Sequence, residues 1–171
     1  ISTPDTSINY EKGDIIQFYN GLEPRISMRW SLPDNSSIKA GYSFNYQYVH
    51  LTSLSAVSLP TDIWYPTTNL AKPQRGWQTS LGYFKTFLNN KLESSVEVYY
   101  KGMNNLTEYK EGALPGDNIN NNTDNLLVFG KEWSYGIEFF LKKTSGKFTG
   151  WIGYTLSKTE RLFEDINDGN A

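Results

Sequence analysis

Apolar and polar side chains alternate along six stretches of this chain. In the second stretch, the even positions from Ile38 to Tyr48 are apolar, and the odd positions between them are polar or glycine. Successive side chains of a β-strand point to opposite faces, so this period of two predicts strands with one apolar face and one polar face. The predicted strands cover residues 25–32, 38–48, 77–87, 92–103, 133–143 and 148–159.

Short and long connections alternate between the predicted strands. Three connections are tight and rich in turn-forming residues, at Pro33-Asp34-Asn35-Ser36, at Leu88-Asn89-Asn90-Lys91 and around Gly146. Each of them joins two alternating stretches and therefore predicts a hairpin. The other two connections, at residues 49–76 and 103–132, are long. Connections of this length are unusual in a compact soluble domain.

The two faces of the strands predict where the sheet lies. Aromatic residues crowd the apolar face, whereas arginine and lysine occupy the polar face. Strands of about 9–11 residues with this alternation are typical of membrane barrels, which turn apolar side chains to lipid and polar ones to the lumen. The predicted fold class is therefore all-β, an antiparallel up-and-down segment of a transmembrane β-barrel.

In such a barrel the connections divide by membrane side, with short turns in the periplasm and long loops outside the cell. The predicted extracellular loops are approximately residues 1–22, 49–76, 103–132 and 159–171, and the predicted periplasmic turns are approximately 33–37, 88–91 and 143–147. Aromatic residues near the strand ends predict the two interfacial girdles. They are Tyr46, Tyr48, Trp77 and Trp133 near the loops, and Trp30 and Phe87 near the turns.

Composition agrees with this interpretation but does not require it. The mean hydropathy is −0.53, and no apolar run approaches the length of a transmembrane helix. A barrel gives such a weak signal because polar lumen residues cancel apolar lipid-facing ones. The net charge of −2 argues against a nucleic-acid partner, and the absence of cysteine excludes disulfides and thiolate metal sites.

Several strings of the sequence are similar to a known family. They are PRISMRWSLPDNSSIKAGYSFNYQYVHL, LPTDIWYPTTN, QTSLGYF, SSVEVYYKGMNN, YGIEFFLKK and GWIGYTLSKTER. Together they resemble the barrel of TonB-dependent outer-membrane receptors, particularly those of Bacteroidetes-type bacteria. The resemblance covers roughly residues 23–161, and none of the strings is a catalytic motif.

The resemblance implies a barrel of about 22 strands with a plugged lumen, of which this chain would supply about six. It also implies active uptake of a scarce nutrient: siderophore-iron, cobalamin, a saccharide or a peptide. The expected partners are the outer-membrane bilayer, the plug domain of the same parent chain, through it the TonB complex, and the small nutrient. No cofactor and no nucleic acid are expected. Both ends of the chain are interpreted as internal, so the plug domain is expected to lie outside it.

Candidate ligand-binding residues lie in the first long loop. Trp64 and Tyr65 could stack on a sugar ring or a flat chelate, or could instead pack the loop or mark the membrane interface. His50, the only histidine, has no accompanying cluster of metal ligands, so hydrogen bonding at the rim is predicted there and no metal site. The oxygen-rich run Asn118 to Asn125 matches no defined calcium loop and is predicted to be solvated.

Nine polar residues are predicted to face the lumen: Arg25, Arg29, Lys39, Asn45, Gln47, Glu93, Glu97, Glu138 and Lys142. Glu93 and Glu97 are about 13 Å apart on one strand, too far for a glycosidase pair. Mixed charges inside a barrel more simply pair across strands or contact the plug. Three residues break the pattern: Phe84 and Phe140 on the inner face, and Lys85, which should reach the membrane interface from the outer face.

Two other functions remain open. A soluble extracellular β-sandwich or barrel that binds carbohydrate would use the aromatic face as its core, and Trp64 or Tyr65 as a ligand platform. An outer-membrane hydrolase would need a nucleophile and a base, and the chain contains no such motif, so no catalytic residue is predicted. Because six strands cannot close a large barrel, the chain is not expected to be stable alone in water.

Overall fold

The chain folds into β-strands, as seen in a computed structural model that describes residues 11–15, 17–52, 63–110, 123–164 and 166. The strands are β1 Arg25–Leu32, β2 Ser36–Gln47, β3 Val49–Thr52, β4 Ile63–Pro66, β5 Gln74–Phe87, β6 Leu92–Tyr109, β7 Leu127–Lys143 and β8 Gly150–Phe163. A 3-10 turn, Thr123–Leu126, precedes β7.

Six of the strands form one antiparallel meander in the order β1-β2-β5-β6-β7-β8. The strands β3 and β4 pair with each other in the connection between β2 and β5. The predicted all-β antiparallel fold is therefore confirmed, and the sheet is open, with β1 and β8 at its edges.

Among the described residues, no helical segment has the length and hydropathy of a membrane span.

The register of every strand pair keeps the two faces aligned across the whole sheet. One transverse row of the apolar face consists of Met28, Ala40, Leu81, Val98, Ile137 and Leu156. The adjacent row of the polar face consists of Arg29, Lys39, Gly82, Glu97, Glu138 and Thr155. Since a slip of one residue would move a strand's apolar side chains to the other face, the alternation excludes odd shifts.

The apolar face has no second layer over it in the described residues. Ile26, Trp30 and Ile152 on this face are 66%, 63% and 71% exposed. A soluble sheet buries such a face against a helix or a second sheet. A contiguous bare apolar surface of this extent is instead what a barrel wall presents to lipid.

The three predicted hairpins are confirmed, and their left-handed turn residues are asparagine, aspartate or glycine except for Leu88, which has a φ angle of 54°. Asp34 and Asn35 have φ angles of 66° and 56°, and Asn89 and Asn90 have 53° and 65°. Gly146 has a φ angle of 113°. Asparagine, aspartate and glycine adopt positive φ more readily than other residues do, so the turn positions follow from the sequence.

Four strands extend further into a long connection than the alternation predicted: β5 begins at Gln74 and β8 ends at Phe163, and β6 and β7 extend furthest. β6 continues to Tyr109 and β7 begins at Leu127, so residues 104–109 and 127–132 belong to the ladder. A β-bulge interrupts the alternation between Asn104 and Leu106, where Asn105 has a φ angle of 59°. The extra residue changes which side chains point to which face, so the extension carries no continuous period-two signal.

Candidate functional site

The two long connections meet at one end of the sheet, where the β3–β4 hairpin contacts β6. Asp124, in the 3-10 turn, is only 7% exposed. Its carboxylate accepts a hydrogen bond from the Tyr65 hydroxyl. The Thr68 hydroxyl lies 2.9 and 2.8 Å from its two oxygens. One carboxylate from the second long connection therefore holds two residues of the first.

Thr68 extends this network to other segments. Its Oγ1 accepts a hydrogen bond from the backbone N–H of Ala71 at 2.9 Å. Its carbonyl oxygen accepts one from the hydroxyl of Tyr19 at 2.6 Å. Tyr19 precedes β1, so the network joins three segments that are distant in sequence. We call the residues Tyr19, Tyr65, Thr68 and Asp124 the loop network.

Tyr65 remains neutral in this setting. Burial, and then the hydrogen bond to Asp124 and its negative charge, raise the pKa of the Tyr65 phenol well above its ordinary value. Both causes disfavour the phenolate. Tyr65 is therefore a hydrogen-bond donor that fixes the hairpin, and it is not suited to act as a base.

His50 lies directly opposite Tyr65 in the β3–β4 ladder and is fully buried. Neither ring nitrogen meets hydrogen-bond geometry with a partner among the described residues. Burial lowers the pKa of His50, and the nearby backbone of Lys72 opposes this change without reaching hydrogen-bond geometry. The described residues contain no group of three His, Cys, Asp or Glu side chains that could hold a metal ion.

Acidification is expected to loosen this end of the sheet. Because the pKa of folded His50 is lowered, the unfolded chain binds the proton more readily, and stability falls as the pH drops below about 6.5. The loss is at most about 1.4 kcal/mol for each pH unit below that value. The loss of local stability is measured by amide hydrogen exchange of residues 63–71 at pH 7.5 and 5.0, after correction for the intrinsic exchange rates at each pH.

The matched control is His50→Leu, which cannot take up a proton. Exchange in this variant should lose most of its excess pH dependence. If the variant keeps the full dependence, another titrating group is responsible.

Trp64 lies on the opposite face of the same hairpin. It is directly opposite Leu51, and the two side chains are 66% and 42% exposed. The structure thus separates the three predicted ligand-contact residues. Trp64 is presented to the outside, whereas His50 and Tyr65 point into the packed loops.

The nine residues predicted to face the lumen all lie on the polar face of the sheet, as the strand register shows. The ammonium of Lys142 lies 3.6 Å from Glu93, its cross-strand partner, so the predicted pairing across strands occurs here. On the apolar face, the Nζ of Lys85 turns to Asp34 in the adjacent turn, at 2.7 Å. Lys85, which breaks the predicted alternation, therefore has its ammonium group at the edge of the apolar face.

Aromatic rings form a band across the apolar face near the long connections. Phe44 is directly opposite Trp77. Trp77 stacks on Tyr100 at 5.3 Å between ring centroids, and Tyr100 stacks on Tyr135 at 6.2 Å. Next to the band, the indole N–H of Trp133 donates to Glu160 at 2.6 Å. Aromatic rings between apolar and charged surface are typical of a membrane interface.

Sequence comparison assigns the chain to a family. The family model described as "TonB dependent receptor-like, beta-barrel" matches residues 3–171. The chain belongs to this family. Searches of curated proteins and of solved structures found no match.

Membership in the TonB-dependent receptor family connects the apolar and polar faces of the sheet with outer-membrane transport. The family is a transport family, typically of the outer membrane, and it generally involves a plug domain and interaction with TonB. The resemblance seen in the sequence is confirmed at this level. The family is not an enzymatic one.

Sequence reasoning missed the loop network. Asp124 lies within the oxygen-rich run that was predicted to be solvated, yet it is buried. The run's residues 118–122 lie outside the described part of the chain. The alternation of polar and acidic residues gives no local signal for a contact between Asp124 and Tyr65, since the two are 59 positions apart.

Proposed function

We propose that this chain is a wall segment of an outer-membrane transporter that takes up a scarce nutrient actively, with its long connections outside the cell. The observation that carries the proposal is the bare apolar face with its aromatic band, in a chain of the TonB-dependent receptor family. The polar face then lines the lumen. The plug domain of the parent chain and the TonB complex would supply the gate and the energy.

The height of the apolar face supports this proposal. On β7 it extends from Trp133 to Leu141, which corresponds to about 27 Å along the strand. A strand tilt of about 40° reduces this to about 20 Å along the membrane normal, close to the band of about 25 Å found in outer-membrane barrels. Charged residues lie level with each end of this stretch: Glu160 is opposite Trp133 and Lys158 is opposite Tyr135 at one end, and Lys85 shares a transverse row with Leu141 at the other.

Refolding the chain with and without detergent tests the membrane assignment. We expect aggregation in plain buffer, and ordered β circular dichroism with a defined mass in analytical ultracentrifugation only when detergent is present. A monomer that folds cooperatively in plain buffer would contradict the proposal. That result would favour the alternative, a soluble β-sandwich or barrel that binds carbohydrate.

We also propose that Trp64 contacts the nutrient. Its exposed indole stands on a hairpin that the loop network holds in place, so binding would immobilise little further chain. A flat aromatic ring suits a sugar ring or a flat chelate, which favours saccharides and metal chelates among the nutrient classes. His50 and Tyr65 would act only by positioning the hairpin.

Replacement of Trp64 by alanine in the parent receptor is expected to weaken nutrient binding by about tenfold, because a stacked aromatic ring contributes about 1–2 kcal/mol. Uptake assays with a ferric siderophore, cobalamin, a maltodextrin and a short peptide would identify the class and measure the change. Trp151→Ala is the matched control, since Trp151 is 70% exposed but lies near the tight turns. Equal losses in both variants would contradict a specific role for Trp64.

A further inference from the structure

Two cationic residues lie on the apolar face of the sheet, just outside the aromatic band. Arg75 precedes Trp77 by two positions on β5, and Lys131 precedes Trp133 by two positions on β7, so each cation shares a face with a tryptophan. Both strands pair with β6, where Asn104 is opposite Arg75 on one side and Lys131 on the other. One transverse row therefore contains Arg75, Asn104 and Lys131. We call these three residues the basic row.

The basic row has no counter-charge in the described part of the sheet. Both cationic side chains are exposed, and neither has a carboxylate of the described residues within 4 Å. The next row toward the middle of the sheet contains Glu160, but its carboxylate is already bound by Lys158 and by the Trp133 indole. Glu164 lines the same small cleft as Lys131 without forming an ion pair with it. The row thus presents two positive charges to its surroundings.

The depth of the basic row matches the headgroup layer of a bilayer. Two residues of a strand span about 6.8 Å, which a tilt of about 40° reduces to about 5 Å along the membrane normal. The headgroup region adds about 5–7 Å to each side of the hydrocarbon core. Tryptophan concentrates at the boundary between the two layers. Because Trp77 and Trp133 share the adjacent transverse row, the cations lie beyond that boundary, at the level of the lipid headgroups.

The spacing of the basic row suits a phosphate group. Adjacent strands lie about 4.8 Å apart, so the Cα atoms of Arg75 and Lys131 are about 10 Å apart. Both side chains are long enough to converge on one group between them, and Asn104 adds an amide donor at the centre of the row. Guanidinium and ammonium groups both bind phosphate well in proteins. A headgroup without negative charge would leave the two cations unmatched.

We propose that the basic row binds the phosphate headgroup of an outer-leaflet lipid. The proposal rests on the proposed function, because it requires the apolar face to meet the bilayer and the long connections to lie outside the cell. The guanidinium of Arg75 and the ammonium of Lys131 would donate hydrogen bonds to phosphate oxygens. The acyl chains would lie along the apolar face, on the membrane side of Trp77 and Trp133. The bound lipid would fix the height of the wall in the outer leaflet.

Lipid binding by the parent receptor in non-ionic detergent tests this surface, with diphosphoryl lipid A as the probe and native mass spectrometry as the readout. The double variant Arg75→Gln/Lys131→Gln is expected to bind the probe about 30-fold more weakly, since each cation near an anionic lipid surface contributes about fivefold. Lipid A without its phosphates should bind the wild type about as weakly. The exchange Arg75→Lys/Lys131→Arg keeps both charges and should retain most of the binding.

The matched control is Arg29→Gln/Lys39→Gln, which removes two positive charges from the polar face and should bind the probe as the wild type does. Unchanged binding in Arg75→Gln/Lys131→Gln overturns the lipid surface and leaves the proposed transporter standing. Equal losses in both double variants would reflect net charge alone and would overturn it as well. So would displacement of the probe by an equal concentration of inorganic phosphate, which would identify a site for free phosphate. A loss confined to the polar-face variant would mean that this face meets lipid, which contradicts the proposed function itself.

Discussion

Arginine in place of Leu156 is expected to destabilise the membrane-inserted sheet by about 2–4 kcal/mol, because it would place a guanidinium in the hydrocarbon core. Leu156 lies opposite Ile137, at the middle of the apolar face of β7 and β8. Arginine in place of Ser157, the next residue along the same strand, should change the stability little. Ser157 lies opposite Gly136 on the polar face, where water surrounds the new charge in a lumen.

The two substitutions lie on the same strand, β8, and at nearly the same depth. They differ mainly in the face of the sheet to which the side chain points. Denaturant unfolding of the parent receptor in lipid vesicles, followed by tryptophan fluorescence, compares them directly. Equal losses would mean that both faces are buried in apolar surroundings. A larger loss at Ser157 would mean that the assignment of the lipid-facing side is reversed.

Alanine in place of Asp124 is expected to release the β3–β4 hairpin while the six-stranded sheet persists. The substitution leaves the hydroxyls of the partly buried Tyr65 and Thr68 without this acceptor, and an unpaired donor costs up to about 1–3 kcal/mol when water cannot replace the acceptor. The local free energy of opening should fall by roughly 2–4 kcal/mol, seen as faster hydrogen exchange in residues 64–71. Asp124→Asn keeps one acceptor oxygen and should lose less.

Asp34→Ala is the control for Asp124. Asp34 also accepts hydrogen bonds, from Lys85 and Ser36, but it lies in an exposed turn at the other end of the sheet. Its removal should leave exchange in residues 64–71 unchanged. If the Asp124 variant also leaves this exchange unchanged, apolar packing holds the hairpin and the loop network does not.

The six-stranded sheet was predictable because each strand has one apolar face and one polar face. This requirement produces an alternation of apolar and polar residues that is visible in the sequence of each strand. The alternation ends where the strands no longer have one apolar face and one polar face. Beyond the bulge at Asn105 both Leu127 and Val128 are buried, so consecutive apolar residues replace the alternation. β3 and β4 have four residues each, too few for a period to stand out.

The candidate site was less predictable because it depends on contacts between distant segments. Trp64 and Tyr65 are adjacent aromatic residues, and only the docking of their hairpin decides that one is exposed and the other holds Asp124. The pairing of charges across strands has the same limitation. A register shift of two residues would keep every face intact and yet would separate Glu97 from Glu138, so alternation alone does not identify charge partners.

β6 and β7 extend past the aromatic band, and this extension divides the sheet into two parts that are expected to unfold separately. A two-stranded ribbon is marginal in water by itself, and this one is held by buried Thr107, Tyr109, Leu127 and Val128 beneath the packed loops. In the proposed membrane setting, that part would have an aqueous core with an ordinary heat-capacity change on unfolding, whereas the rest of the ladder would depend on lipid. A single free energy of unfolding therefore cannot describe the chain. Denaturant should first unfold residues 104–109 of β6 and 127–132 of β7, and should leave the rest of the six-stranded sheet paired.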